Sequence, residues 1–189
     1  APTAIQTRIN GLRYSVEHHD GLFYILTNAD EAINQKLVTC PVETPQQSNW
    51  KTIIDHRSDV QLEHVELFNE FLVCYQREEG LHHLRVIKLD DWSDHIISLP
   101  EPIYTVWPAA NPEFDTKIIR FAYTSLVSPL STFDYNMETR ERELMKLKNV
   151  PGYDASLYTS ERIYAEAEDG TAIPISLVYR KDALLDKPI

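Results

Sequence analysis

Apolar and polar residues alternate with a period of two along much of this chain, as in strands that bury one face. Phe121, Tyr123 and Ser125 alternate with Ala122 and Thr124; Phe133, Tyr135 and Met137 alternate with Asp134 and Asn136; Ile163, Ala165 and Ala167 alternate with Tyr164, Glu166 and Glu168. No segment carries a helical period of comparable length. Residues 62–70 can be laid on a helix, but Val60, Val65 and Phe68 suit a strand equally. The pattern predicts an all-β chain.

Turn signals divide the strands. Asp20-Gly21 separates residues 12–19 from 22–27, and Asp169-Gly170 separates 162–168 from 171–179. Asp-Gly favours the type I′ hairpin turn, whose two central residues take positive φ. Glu79-Gly80 divides 71–77 from 81–89 in a similar way, and Ser128-Pro129 breaks 118–126 from 131–137. Pro108 and Pro112, with Glu113 and Asp115, mark a loop leading into a later strand.

A repeat emerges when second strands are aligned. Phe23, Phe71 and Phe121 each open an apolar run, at intervals of 48 and 50 residues, and are expected at equivalent positions. After 12 or 13 positions each is followed by another strand, beginning at Lys36, Leu84 and Phe133. Shorter strands near Ile53-Ile54, Ile96-Ile97 and Leu144-Met145 close the units. Four strands in a unit of this length make a β-propeller blade. Residues 1–149 are therefore expected to form three consecutive four-stranded antiparallel blades of a partial β-propeller. Residues 150–189 are expected to hold a linker at Val150-Pro151-Gly152 and then a hairpin. Propellers typically close with 4 to 8 blades, so the expectation is a fragment of a larger protein, or a piece that self-associates through its uncovered outer faces.

Composition narrows the partners. Eighteen Lys and Arg stand against 29 Asp and Glu, for a formal charge of −11, and 43% of residues are hydrophobic, enough for a core. The acidic balance argues against a nucleic acid, whose phosphates require clustered Lys and Arg. Residues 61–101 hold nine acids and three bases; such a stretch attracts cations or basic peptides, or simply forms a solvated acidic surface. With no run of about 18 apolar residues, no membrane-spanning helix is expected. Residues 1–10 lack the order of a secretory signal. Cys40 and Cys74 lie in apolar strand-like runs and read as buried free thiols, which favours a reducing compartment and a cytoplasmic location.

Chemistry is sparse. The five glycines include no Gly-x-Ser-x-Gly. Ser125, Ser128 and Ser160 could each be matched by chance with one of seven histidines and an acid, but a triad needs an activated nucleophile and an oxyanion hole. The neighbours His18-His19 and His82-His83 point to opposite faces of a strand, so neither pair can ligate one ion from one side; all four are expected to be solvated residues flanking turns. The run 138–143 reads as a charged, solvated loop. Glu161 and Arg162 could form an ion pair at a domain junction, or point apart as exposed side chains. No catalytic, cofactor or metal residue is assigned.

The segment from Tyr158 to Lys181, with Ser160-Glu161-Arg162, Asp169-Gly170-Thr171 and Pro174-Ile-Ser-Leu-Val-Tyr179, resembles the propeller-to-hydrolase junction of the prolyl oligopeptidase family. It is most similar to the oligopeptidase B branch, as are the stretches 13–28 and 120–129. The resemblance covers essentially the whole chain. It implies serine peptidases in which a propeller restricts access to an α/β-hydrolase site, and in this branch cleavage of short peptides after Lys or Arg. On that basis a second, hydrolase domain is expected to begin near residue 155 and to be truncated, so the segment alone is expected to be inactive. Short basic peptides and the missing hydrolase domain are the implied partners. The alternative is a non-enzymatic interaction module that binds a peptide along exposed blade edges.

Overall fold

The computed structural model describes residues 4–183. It is built almost wholly of strands and forms two compact units: the first runs to Ile97 and takes in Pro112–Lys117, and the second comprises Ser98–Asn111 and the chain from Ile118 onward.

The first unit holds two four-stranded antiparallel sheets. One has the order β1(Tyr14–His19), β2(Leu22–Thr27), β3(Lys36–Pro41), β4(Lys51–Ile54); the other has β5(Val60–Leu67), β6(Phe71–Glu78), β7(Leu81–Lys88), β8(Asp94–Ile96). The strands lie in sequence order, so each is joined to its neighbour by a short connection. Asp20 and Gly21 take φ of 49° and 74°, and Glu79 and Gly80 take 49° and 78°, the conformation that a type I′ turn requires and that glycine adopts without steric cost.

The two sheets share a core. Tyr24, Leu26 and Leu37 of the first sheet pack with Leu62, Val65, Leu67, Leu72, Cys74 and Ile87 of the second. Leu62 and Val65 are three residues apart yet join the same cluster, because the register shifts between Leu62 and His64. Such a bulge adds one residue and restores the inward face. The other face of the first sheet carries Ile25, Val38 and Cys40, with Val16, Phe23 and Trp50 packed against them. Ile5 also packs here, and Gln6 Oε1 accepts from the Gln47 amide at 3.1 Å, so the N-terminal segment covers part of that face.

The three-sheet repeat is present, but Phe23 and Phe71 are not equivalent. Leu22 pairs with His19 across the Asp20-Gly21 turn. In the second sheet the Phe68 amide donates to the Phe71 carbonyl at 2.8 Å across Asn69-Glu70. Phe71 therefore matches Leu22, and Leu72 matches Phe23. A slip of one residue exchanges faces. Leu72 joins the shared core beside Tyr24 and Leu26, whereas Phe23 lies on the far face of its sheet.

The second unit holds a sheet of order β12(Arg142–Leu147), β11(Ser131–Asn136), β10(Ile118–Ser125), β9(Tyr104–Pro108), and a two-stranded hairpin of β13(Tyr158–Glu166) and β14(Ala172–Arg180). Ile119, Phe121 and Tyr123 are buried on one face of β10. The ring of Phe133 sits 5.8 Å from that of Phe121 and 5.7 Å from that of Tyr123. Pro108 does not lie in the expected loop: it ends β9, paired with Phe121. β9 is an edge strand, where a residue without an amide hydrogen is tolerated.

Candidate functional site

At one end of the first unit a cleft of about 420 Å³ opens between its two sheets. It is lined by His19, Asp20, Leu22 and Tyr24 of the first hairpin, Asn69 and Glu70 of the β5–β6 turn, and Lys88, Leu89 and Asp90 at the end of β7. Tyr24 forms the floor at 7% exposure, and Leu22 and Leu89 are half-buried walls. The type I′ turn places Asp20 on the rim, exposed and two strand positions from the Leu22 wall.

The segment Pro112–Lys117 completes one side. The Asn69 amide donates to the Phe114 carbonyl at 3.0 Å, Asn69 Nδ2 donates to Asp115 Oδ1 at 3.0 Å, and the Phe114 ring lies 5.1 Å from that of His19. Lys117 Nζ stands 3.7 Å from Glu70 Oε2, and Lys88 Nζ 3.2 Å from Asp90 Oδ2. A long-range strap thus occupies what the prolines suggested was a connecting loop. Burial, and then the charge of Asp20, push the Tyr24 hydroxyl above its ordinary range, so it is neutral and able to donate or accept.

A second cleft, of about 400 Å³, lies on the first sheet's outer face, lined by Asp30, Lys36, Val38, Gln47, Ser48, Trp50 and Thr52. Lys36 is held by Asp30 at 2.9 Å, and Trp50 Nε1 donates to the Pro45 carbonyl at 2.9 Å. Its charged groups and its indole N–H are thus engaged within the fold.

The expectation of solvated histidines is corrected at His82, which is half-buried in a cluster across β5, β6 and β7. Arg77 Nε donates to Glu63 Oε1 at 2.8 Å, and Arg77 Nη2 approaches His82 Nε2 at 2.5 Å. A guanidinium offers only N–H groups, so Nε2 faces it with its lone pair. Burial first, and then Arg77, hold the imidazole below its usual range. His82 is therefore neutral near pH 7, and Glu63 at 3.4 Å pairs principally with Arg77. The cluster fastens three strands and has no nucleophile in it.

The three serines are accounted for locally. Ser125 Oγ accepts from the Val127 and Ser128 amides at 2.9 and 2.6 Å, a turn cap. Ser128 Oγ donates to Glu101. Ser160 is buried, its hydroxyl without a hydrogen-bond partner among the described residues. Glu161 is exposed and Arg162 half-buried, with the Arg162 guanidinium 5.6 Å from the Tyr164 ring centre. Residues 138–143 are exposed as expected, but the loop ends at Glu141, since Arg142 and Glu143 open β12. Among the described residues no group of three His, Cys, Asp or Glu is placed to hold a metal ion, and no helix is long and apolar enough to cross a membrane. Cys40 and Cys74 are buried free thiols.

Sequence reasoning missed the cleft at Tyr24. Its lining comes from three separate stretches of chain, and the only local signal was an Asp-Gly turn followed by an apolar strand.

Comparison with known proteins gives a consistent result. The family model described as the prolyl oligopeptidase N-terminal beta-propeller domain matches residues 2–148. A dipeptidyl aminopeptidase BI of Pseudoxanthomonas mexicana is 43% identical over 185 residues, covering 97% of this chain and 25% of the relative. A protease 2 of Moraxella lacunata is 31% identical, covering 97% of this chain and 26% of the relative. The solved oligopeptidase B of Leishmania major superposes with a TM-score of 0.83 at 32% identity, over 97% of this chain and 27% of that one. The chain thus spans about a quarter of the length of the curated relatives it matches.

Proposed function

The chain belongs to the prolyl oligopeptidase family, with the fold of its N-terminal β-propeller, and from this premise we propose that it is the propeller segment of a serine oligopeptidase that cleaves short peptides after Lys or Arg. The observation that carries the reading is the match of all three sheets and the β13–β14 hairpin to an oligopeptidase B at a TM-score of 0.83. The acidic balance of the chain, −11 in formal charge, suits the gathering of basic substrates by long-range attraction. In this reading the blades limit access to a hydrolase site supplied by other residues of the protein. Ser125 and Ser128 cap turns or bond to Glu101, and neither is set up as a nucleophile.

The test pairs this chain with the full-length protein that contains it. The full-length protein is expected to take up a fluorophosphonate at one serine and to release the leaving group from peptidyl-Arg and peptidyl-Lys substrates in preference to peptidyl-Pro ones. This chain alone is expected to remain unlabelled and inactive. Preference for proline, or stoichiometric labelling of the chain alone, would overturn the reading.

A further inference from the structure

We propose that the cleft between the first two sheets holds the cationic side chain of a basic peptide, with Tyr24 as its floor and Asp20 as its counter-charge. Two independent features meet there. Tyr24 is 7% exposed and lines the cleft, yet its hydroxyl has no hydrogen-bond partner among the described residues. The Tyr24 side chain is thus more than nine-tenths buried, while its hydroxyl, unpaired within the fold, opens into space large enough for a side chain. The second feature is charge. Of the three acids around the cleft, Glu70 faces Lys117 and Asp90 faces Lys88, whereas Asp20 has no ion-pair partner among the described residues.

A cation fits this arrangement better than an anion. Lys88, the basic residue of the lining, is already held at 3.2 Å by Asp90, and the remaining free charge is negative. An arginine or lysine stem can lie along Leu22 and Leu89 while its head meets the Tyr24 hydroxyl and the Asp20 carboxylate, the division of labour such amphipathic side chains favour. A guanidinium, with its several donors in one plane, can serve both oxygens at once. Only the statement that the cation belongs to a peptide rests on the peptidase reading. Binding needs no catalytic group and is measured on an uncleaved ligand, so the two can fail separately.

The experiment titrates the 189-residue chain with acetyl-Ala-Arg-Ala-amide and with its neutral citrulline isostere, followed by amide chemical shifts. The arginine peptide is expected to move the signals of Gly21, Leu22, Tyr24 and Asn69 in a saturable way, and the citrulline peptide to bind about tenfold more weakly. Asp20→Asn, which keeps a residue tolerant of positive φ, is expected to cost about tenfold in affinity and Tyr24→Phe about threefold. Glu31→Gln, an exposed acid in the β2–β3 connection at the opposite end of β2 from Asp20, is expected to change nothing. Equal binding of the two peptides would overturn the proposal. So would an Asp20→Asn variant of unchanged affinity and native spectrum, equal losses from Glu31→Gln, or shifts confined to residues outside the cleft.

Discussion

Arg85 on β7 donates from Nε to Oδ2 of Asp94 on β8 at 2.8 Å, fastening the short outer strand of the second sheet to the strand inside it. Arg85 is also the cross-strand partner of the buried Cys74, so the ion pair lies at the margin of the core. The Arg85 hydrogen bond holds the Asp94 carboxyl below its ordinary value of 3.8. Folding therefore favours the ionised form. The resulting stability is present above pH 3.8 and is lost as pH falls through the lower native value.

Asp94→Asn is accordingly expected to lower stability at pH 7 by at most about 1 kcal/mol, because the pair is partly exposed and screened by solvent. The difference between variant and parent is expected to vanish once pH has fallen through the native Asp94 value, which lies below the ordinary 3.8. Urea unfolding across this range gives the comparison, and a difference that persists in acid would assign the effect to packing instead.

Leu72 is fully buried in the core shared by the two sheets of the first unit. Leu72→Ala removes its side chain where neighbouring strands are held by backbone ladders and cannot collapse freely. A loss of about 3 kcal/mol is expected, read from the denaturation midpoint. Phe23→Leu, on the partly exposed far face, is expected to cost about 1 kcal/mol. Equal losses at the two positions would show that Leu72 lies outside the core that the two sheets share.

Burial pushes the Cys74 thiol up to about 12 and raises that of Cys40. Thiolate is the reactive form, so neither cysteine of the folded chain is expected to react with an aromatic disulfide reagent at pH 8. Both are expected to react once the chain is unfolded in guanidinium. A rapid phase in the native state would show that one strand opens locally.

Leu144, Met145 and Leu147 on β12 are 50%, 48% and 54% exposed, and Ile163, Tyr164, Ile173 and Val178 of the hairpin are also in water. Apolar surface of this kind marks a site of association, and an isolated two-stranded hairpin leaves both edges open. The chain alone is expected to associate with itself at micromolar concentration. Sedimentation as a monomer of 21.9 kDa, with no binding of an apolar dye, would contradict this.

The blades were legible because their signals are local. Gly21, Gly80 and Gly170 each occupy positive φ in a hairpin turn, and alternation shows within each strand. The facing of Phe71 was not legible, since the β5–β6 turn at Asn69-Glu70 has no glycine to mark it and a one-residue error reverses a strand. Nor was the cleft, because Asp20, Glu70 and Asp90 meet only through the packing of two sheets, and Asn69 finds Asp115 across 46 positions of sequence. The half-burial of His82 likewise depends on Glu63 and Arg77 from other strands.

The strap Pro112–Lys117 has a consequence for biosynthesis. It belongs to the first unit, but Ser98–Asn111 of the second unit are made before it. As the chain leaves the ribosome, the first two sheets can pair their strands once residue 97 is out, yet the wall that clamps Asn69 and faces His19 is still missing. At typical synthesis rates the delay to residue 117 is about one to four seconds, long compared with hairpin formation in microseconds. For that interval the nascent unit presents an unfinished end to its surroundings, a window in which a chaperone could engage it before the strap seals the margin.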